Sequence, residues 1–105
     1  MPDGNAAALR IYAVELSTLL GKRMGNLTLN FFGDRFDGVL SLMKAENPVY
    51  GHMLDANRCQ LTGSIRTRMN SYPFEAEGTL MPEKLDLTLH CAAFNLPLHG
   101  NRKEE

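Results

Sequence analysis

Apolar and polar residues alternate along most of the chain after residue 10. The clearest runs are Leu27-Thr-Leu-Asn-Phe31 and Leu85-Asp-Leu-Thr-Leu89. A period of two is typical of a strand with one buried face. Turn-forming pairs such as Gly33-Asp34 and Pro82-Glu83 separate these runs. Short strands with turns at intervals of about 8 to 12 residues predict an all-β sandwich or barrel.

Residues 6–20 fit two kinds of structure, because Leu9, Tyr12 and Leu16 also lie on one helical face. An internal similarity favours the strand for residues 10–18. A shift of 49 positions places Leu16-x-Thr18-x-Leu20 on Ile65-x-Thr67-x-Met69, and also places Pro48-x-x-Gly51 on Pro97-x-x-Gly100. Self-similarity at a fixed period indicates a repeated supersecondary unit.

The repeat predicts four strands in each half of the chain. Their bounds are 10–18, 25–32, 38–44, 49–54, 58–68, 73–80, 84–91 and 94–99. Because an open antiparallel sheet leaves two unpaired edges, we expect the strands to close into an eight-stranded antiparallel up-and-down β-barrel. An open sandwich, or a seven-stranded sheet with a helical N-terminal segment, remains an alternative. One domain is expected over residues 1–105, with flexible ends at about 1–8 and 101–105.

Glycine and leucine spacing carries a family resemblance. The segments are Thr18-x-x-Gly21-x-x-x-Gly25-x-Leu27-x-Leu29, Gly33-x-x-x-x-Gly38-x-Leu40 and Phe74-x-Ala76-x-Gly78. They resemble the small bacterial calycin-like barrels, whose architecture is similar to that of lipocalins and avidins. The resemblance implies a barrel of this architecture. The chain has no Trp, so the Gly-x-Trp of true lipocalins is missing, and no catalytic residue is carried over.

The strand alternation predicts an almost wholly apolar interior. An eight-stranded barrel is just wide enough to be filled by side chains or to hold one small ligand. Small residues inside would leave room for an apolar ligand near the fourth to sixth strands, whereas the alternative is that they relieve crowding. The candidate ligand-binding residues are Tyr12, Gly51, Gly63, Phe74, Ala76 and Gly78.

Apolar residues also recur on the predicted outer face of the first, third and fourth strands. A soluble monomer seldom exposes a large apolar patch, so we expect a homodimer interface there. The alternative is that residues 1–9 fold back over this face. The candidate interface residues are Ile11, Val39, Met43, Tyr50 and Leu54.

Composition and charge narrow the function classes. The 105 residues carry 11 Lys and Arg against 12 Asp and Glu, giving a net charge of −1. The basic residues are scattered along the sequence, so we expect no nucleic-acid or membrane partner. The chain shows no secretory signal pattern and no apolar stretch long enough to cross a bilayer, which favours a cytoplasmic protein.

Residues with reactive side chains form no recognisable motif. Cys59 and Cys91 lack zinc-site spacing and are expected to be reduced thiols. His52, His90 and His99 lie on three predicted strands, so no metal site is assigned. No nucleophile elbow or phosphate loop occurs. We therefore name no catalytic residue and no cofactor, and leave enzymatic activity open.

The sequence favours a binding module for a small apolar ligand. The alternative is a fully packed structural or interaction protein that acts as a homodimer. Replacing Gly63 by Leu is expected to abolish ligand binding in the first case. Val39→Glu or Tyr50→Glu is expected to give monomers in the second case.

Overall fold

The computed structural model, which describes residues 8–92 and 94–103, is a closed barrel of eight antiparallel strands. The strands are β1 (Ala8–Thr18), β2 (Gly21–Phe32), β3 (Arg35–Leu42), β4 (Ala45–Met53), β5 (Arg58–Arg66), β6 (Ser71–Leu80), β7 (Lys84–His90) and β8 (Asn95–Arg102). Each strand pairs with its neighbours in chain order, and β8 pairs with β1. The predicted up-and-down barrel is confirmed, and the strand over residues 10–18 is a strand rather than a helix.

The predicted flexible ends fall partly outside the described residues, since these exclude 1–7 and 104–105. Ala8 begins β1, and Asn101 and Arg102 belong to β8. The residues that the structure describes include no helix long and apolar enough to span a bilayer.

The interior follows from the period-two pattern, because successive side chains of a strand point to opposite faces. The large apolar residues that the alternation places inside are buried except Met53, which is half-buried, and Phe94, which is 36% exposed. The glycines expected inside, Gly51, Gly63 and Gly78, are half-buried. The core also includes Phe36 and Cys59, and one polar side chain, Asn47, is buried with them. The barrel centre is therefore filled mainly by leucine and aromatic side chains.

The two ends of the barrel are built from different turns. The mouth end carries the β1–β2, β3–β4, β5–β6 and β7–β8 turns. The closed end carries the other three turns, the start of β1 and the end of β8. Both ends therefore have turns of similar length. The two ends differ in their side chains and in how neighbouring hairpins pair.

Backbone hydrogen bonds tie neighbouring hairpins together at the closed end. The N–H groups of Met53, Leu80 and Arg102 donate to the carbonyls of Asp34, Asn57 and Glu83, at 2.7, 2.7 and 2.8 Å. The N–H of Lys103 donates to the carbonyl of Ile11 at 2.7 Å. These four bonds continue around the barrel, so the closed end is held as a ring.

Two of the four seams between the mouth hairpins end before the rim. Pairing between β4 and β5 ends at Val49 and Gly63, although β4 begins at Ala45. Pairing between β8 and β1 ends at Leu98 and Leu16. The β2–β3 seam instead pairs up to Leu42 and the β6–β7 seam up to His90, each the last residue of its strand. The mouth therefore has two seams that stop short of the rim, one between β4 and β5 and one between β8 and β1.

Candidate ligand site at the barrel mouth

The residues predicted to bind a ligand lie within the barrel wall and core. Tyr12, Phe74 and Ala76 are buried to 0%, 4% and 1% exposure. Gly51, Gly63 and Gly78 are half-buried on β4, β5 and β6. The register joins Gly63 directly to Phe74 and Gly78 to Cys59. The five residues on β4 to β6 therefore lie on adjacent strands, whereas Tyr12 lies on β1.

Tyr12 is already engaged by the protein itself. Its hydroxyl donates to the carbonyl of Met81 at 2.7 Å, and the Arg10 guanidinium donates to the Tyr12 hydroxyl oxygen at 3.4 Å. That guanidinium also covers the Phe31 ring, with Cζ 4.4 Å from the ring centroid. A buried hydroxyl needs a hydrogen-bond partner, and Tyr12 has one in Met81. Tyr12 therefore packs as part of the core near the closed end.

The space beside the inward glycines is filled by neighbouring side chains. A Cβ placed on Gly51 would lie 2.7 Å from the Phe36 ring, and a Cβ placed on Gly63 would lie 2.9 Å from Val49 Cγ1. Both separations are shorter than normal carbon contacts. Glycine at these two positions allows bulky neighbours to pack closely, and the replacement Gly63→Leu would disturb this packing as well as any ligand.

An open cavity of about 260 Å³ lies above this packed region, at the mouth end. Its floor is made by Leu16, Ile65 and Leu96, which are buried. Its walls come from the four mouth turns and the adjoining strand ends. The lining residues are Leu16, Thr18, Leu19, Leu20, Arg23, Met43, Ile65, Thr67, Tyr72, Cys91, Phe94 and Leu96.

The rim of the cavity carries the most exposed large apolar side chains described in this chain. Leu19 and Leu20 are 87% and 85% exposed at the β1–β2 turn, and Met69 is 85% exposed at the β5–β6 turn. Tyr72 and Phe94 are about one-third exposed beside them. Apolar side chains at this exposure gain no packing energy within the protein, so they contribute nothing to the core.

Threonine hydroxyls fix the two turns that present these side chains. Thr18 Oγ1 donates to the carbonyl of Gly21 at 2.6 Å and accepts from the N–H of Leu20 at 3.1 Å. Thr67 Oγ1 donates to the carbonyl of Asn70 at 3.2 Å and accepts from the N–H of Met69 at 3.3 Å. The two turns share one geometry, although an internal duplication of the chain stays a prediction.

Asn47 bridges the gap between β4 and β5 just below the rim. Its side-chain nitrogen donates to the carbonyl of Leu40 at 3.0 Å, and its oxygen accepts from the N–H of Arg66 at 3.0 Å. The amide replaces the missing ladder bonds at this seam, which explains a polar side chain at 1% exposure.

The β3–β4 turn adds backbone strain at the rim. Met43 and Lys44 have φ angles of 52° and 65°. Two-residue hairpin turns of this hand prefer Asn and Gly, because other residues reach positive φ only at a cost. The chain nevertheless places an apolar and a basic side chain at this turn.

The two cysteines are free and differ in their access to solvent. Burial in the core raises the pKa of the Cys59 thiol to about 12. Burial also raises the pKa of Cys91, which is half-buried in the cavity wall. A half-buried thiol in the wall makes Cys91 a natural reporter of cavity occupancy, whereas Cys59 is shielded.

The residues predicted to form a dimer interface lie in three places. Ile11 and Val39 share one outer row, which runs through the register Ile11, Thr28, Val39 and Pro48 across β1 to β4. Tyr50 lies in the next outer row and is 62% exposed. Met43 instead belongs to the mouth turn, and Leu54 lies in the β4–β5 turn at the closed end.

Two wide grooves cross the outer wall on either side of Tyr50. One of about 820 Å³ is lined by residues that include Arg35, His52 and Gln60, and the other of about 760 Å³ includes Pro73 and His90. Both are more polar than the mouth. Within the described residues, no cluster of three metal-ligating side chains occurs.

The exposed histidines have ordinary surface partners. His90 Nδ1 lies 2.8 Å from Asn95 Oδ1, and its Nε2 lies 3.3 Å from Glu77 Oε2. His99 contacts the carboxylate of Asp86. The outer wall of β6 to β8 therefore carries polar pairs rather than a converging set of acid, base and nucleophile.

Sequence reasoning missed the mouth. The signal that could have found it is the pair Leu19-Leu20 together with Met69, since apolar residues at predicted turns have no place in the strand alternation. Each turn looks isolated in the sequence. Only the barrel brings the β1–β2 and β5–β6 turns to the same end.

No protein-family model, curated protein or solved structure matches the chain. The closed eight-stranded barrel is compatible with a calycin-like architecture. Membership of that family stays a prediction, because a shared fold does not establish a family or a function.

Proposed function

We propose that this protein is a binding module that takes a small apolar molecule, or the apolar part of a larger one, into the barrel mouth. The observation that carries the proposal is the open apolar cavity above a filled core. Ligand sites are typically concave and mainly apolar with a few polar groups. The proposal keeps the apolar ligand expected from the sequence and moves its site from the barrel centre to the mouth.

The chemistry of the cavity wall limits the ligand. Arg23 is the charged side chain among the lining residues, and the Thr18 and Thr67 hydroxyls are occupied in their turns. The volume lies just below the roughly 300–1,000 Å³ of drug-sized sites. A compact ring system or a short hydrocarbon chain fits this description, with at most one anionic group near Arg23.

A matched pair of charge substitutions tests the site. The probe is 1-anilinonaphthalene-8-sulfonate, followed by its fluorescence. Phe94→Asp places a carboxylate beside the cavity, and Phe32→Asp makes the same change at the closed end, where Phe32 is 54% exposed and borders the larger outer groove. We expect Phe94→Asp to weaken probe binding at least roughly tenfold, because a charge is costly in an apolar site.

The control variant Phe32→Asp should bind the probe as the parent protein does. If Phe32→Asp weakens binding and Phe94→Asp does not, the outer groove is the site and the proposal is wrong.

Alkylation of Cys91 gives a second readout. We expect iodoacetamide to modify Cys91 before Cys59, and saturation with the probe to slow the Cys91 reaction. Mass spectrometry of the intact and digested protein separates the two sites. Unchanged labelling of Cys91 at saturating probe would contradict a ligand in the mouth.

A homodimer through the outer wall is the second candidate function. It is supported by the row of Ile11, Val39 and Pro48 with the exposed Tyr50 beside it. Such a surface fits a two-fold contact. Val39→Glu and Tyr50→Glu should each lower the sedimentation mass of a dimer to that of one chain, and an unchanged mass would place the contact elsewhere.

A further inference from the structure

The fold gathers basic residues that the sequence scatters. Five of the 11 Lys and Arg residues lie in the mouth hairpin ends, within residues 15–24, 41–47 and 64–73, together with the acidic residues Glu15 and Glu46. These five are Lys22, Arg23, Lys44, Arg66 and Arg68. At the closed end, basic and acidic residues alternate, as in Asp34-Arg35 and Glu83-Lys84. The mouth end is therefore positive within a chain of net charge −1.

The basic residues surround the exposed apolar tips. Arg68 precedes Met69 in one turn, and Lys44 follows Met43 in another. Lys22 follows the Leu19-Leu20 turn closely and pairs with Glu15 at 3.2 Å. The apolar side chains at the turn tips suit the hydrocarbon boundary of a bilayer. The cations beside them suit its anionic headgroups.

From this placement we propose that the mouth end docks on an anionic lipid bilayer surface. Leu19, Leu20 and Met69 enter the boundary of the hydrocarbon, and the basic side chains contact the lipid phosphates. This inference extends the proposed function, since it would set the cavity against a source of apolar molecules. Docking does not require that the cavity be filled.

The strained β3–β4 turn supports the same surface. Met43 and Lys44 adopt positive φ where Asn and Gly would cost less. Their side chains give the mouth one more apolar group and one more cation. A role in docking explains why this costly pair stands at the rim, since local strain often marks functional positions.

The experiment is sedimentation of the full chain with vesicles. One set contains phosphatidylcholine alone, and the other contains phosphatidylcholine with phosphatidylglycerol. We expect binding to the anionic vesicles, and loss of that binding in high salt, because the screening length falls from about 10 Å at 0.1 M to about 3 Å at 1 M. Equal binding to both vesicles, or none to either, would overturn the proposal.

Variants outside the cavity lining separate docking from ligand binding. Arg66→Glu/Arg68→Glu should weaken binding to anionic vesicles at least roughly tenfold. The control Arg35→Glu/Lys84→Glu changes the net charge equally at the closed end and should retain binding. Equal losses in both variants would show a response to total charge and contradict docking by the mouth.

Apolar variants complete the test. Met69→Ser should weaken vesicle binding several-fold, whereas Leu54→Ser at the closed end should not. Met43→Asn/Lys44→Gly should weaken vesicle binding while it raises the unfolding temperature, so its loss cannot come from unfolding. If Met69→Ser instead lowers the sedimentation mass without lipid, a second copy of the chain occupies the mouth and the lipid proposal is wrong.

The two proposals fail in distinguishable ways. If Phe94→Asp weakens probe binding but the protein does not bind vesicles, the proposed function stands and the docking proposal is wrong. If Met69→Ser weakens vesicle binding but the protein does not bind the probe, the docking proposal stands and the proposed ligand-binding function is wrong.

Discussion

The closed end and the mouth end of this barrel are built from similar short hairpins, but they differ in what joins the hairpins. At the closed end, backbone bonds from Met53, Leu80 and Arg102 link each hairpin to the next. At the mouth, Asn47 provides a side-chain link across one seam. The comparison teaches that the pairing register leaves two seams open at one end, and that the most exposed apolar side chains, Leu19, Leu20 and Met69, lie at that end.

The largest expected effect compares one side chain from each end. Tyr12→Ala removes a fully buried ring and leaves the Met81 carbonyl without its donor. We expect the free energy of unfolding to fall by about 3–5 kcal/mol. Leu20→Ala should change it by less than about 0.5 kcal/mol, because Leu20 is 85% exposed. Urea denaturation measures both, and similar losses would contradict the assignment of the two ends.

The next test concerns the packed region between the ends. Gly51→Ala forces a methyl group against the Gln60 carbonyl oxygen and to 2.7 Å from the Phe36 ring, and should destabilise the protein by about 1–3 kcal/mol. Gly33→Asn is the control, since Gly33 has φ 66° with nothing within 4 Å of an added Cβ, and Asn tolerates this conformation. A neutral Gly51→Ala would mean that the core holds free space below the mouth.

The pH dependence of the free energy of unfolding tests whether water reaches the core at Cys59. Because the pKa of Cys59 rises to about 12 in the folded protein, the thiol stays protonated there while it ionises near 9.0 in the unfolded chain. Its contribution to stability is complete below pH 9 and is lost as pH rises towards 12. The slope should be about 1.4 kcal/mol per pH unit.

The variant Cys59→Ala isolates that slope, since other groups titrate equally in both proteins. Denaturation midpoints measured at pH 8, 9 and 10 should diverge between parent and variant at about pH 9 and above, where the parent loses stability. Parallel curves would mean that water reaches Cys59.

The smallest expected effect is local. Amide hydrogens in the mouth hairpin ends, residues 17–24 and 64–72, should exchange at least roughly tenfold faster than those of Met53, Leu80 and Arg102. The reason is that the closed-end amides belong to the ring of bonds between hairpins. Hydrogen-exchange mass spectrometry resolves the two groups, and equal protection would show that the mouth is as firmly joined as the closed end.

Much of the fold could be predicted because the alternation of apolar and polar residues along a strand shows directly which side chains face the core. Leu27, Leu29 and Phe31 lie inside as their spacing requires. Phe94 departs from the pattern because β8 begins at Asn95, which leaves Phe94 in the mouth turn. The predicted bounds 38–44 and 49–54 leave Asn47 between two strands, whereas in the structure it belongs to β4 and its side chain is buried, bonded to backbone groups.

The candidate site could not be predicted in the same way. Leu19, Met43 and Met69 lie in different turns, and their common end is a property of the up-and-down order. The predicted ligand residues Gly51 and Gly63 are neighbours, but whether the space beside a glycine is empty depends on rings such as Phe36 and Phe74. Volume inside a barrel is set by all strands together, so it cannot be seen in one segment.

The central claim is that the mouth end is the binding end, and amide shift mapping tests it most directly. A titration of the isotopically labelled chain with 1-anilinonaphthalene-8-sulfonate would be followed by two-dimensional NMR. The account predicts that the largest shifts occur at Leu16, Ile65 and Leu96 and at the turns around them, with little change at the closed end. Shifts centred on Tyr50 and His52, or on the closed end, would contradict it.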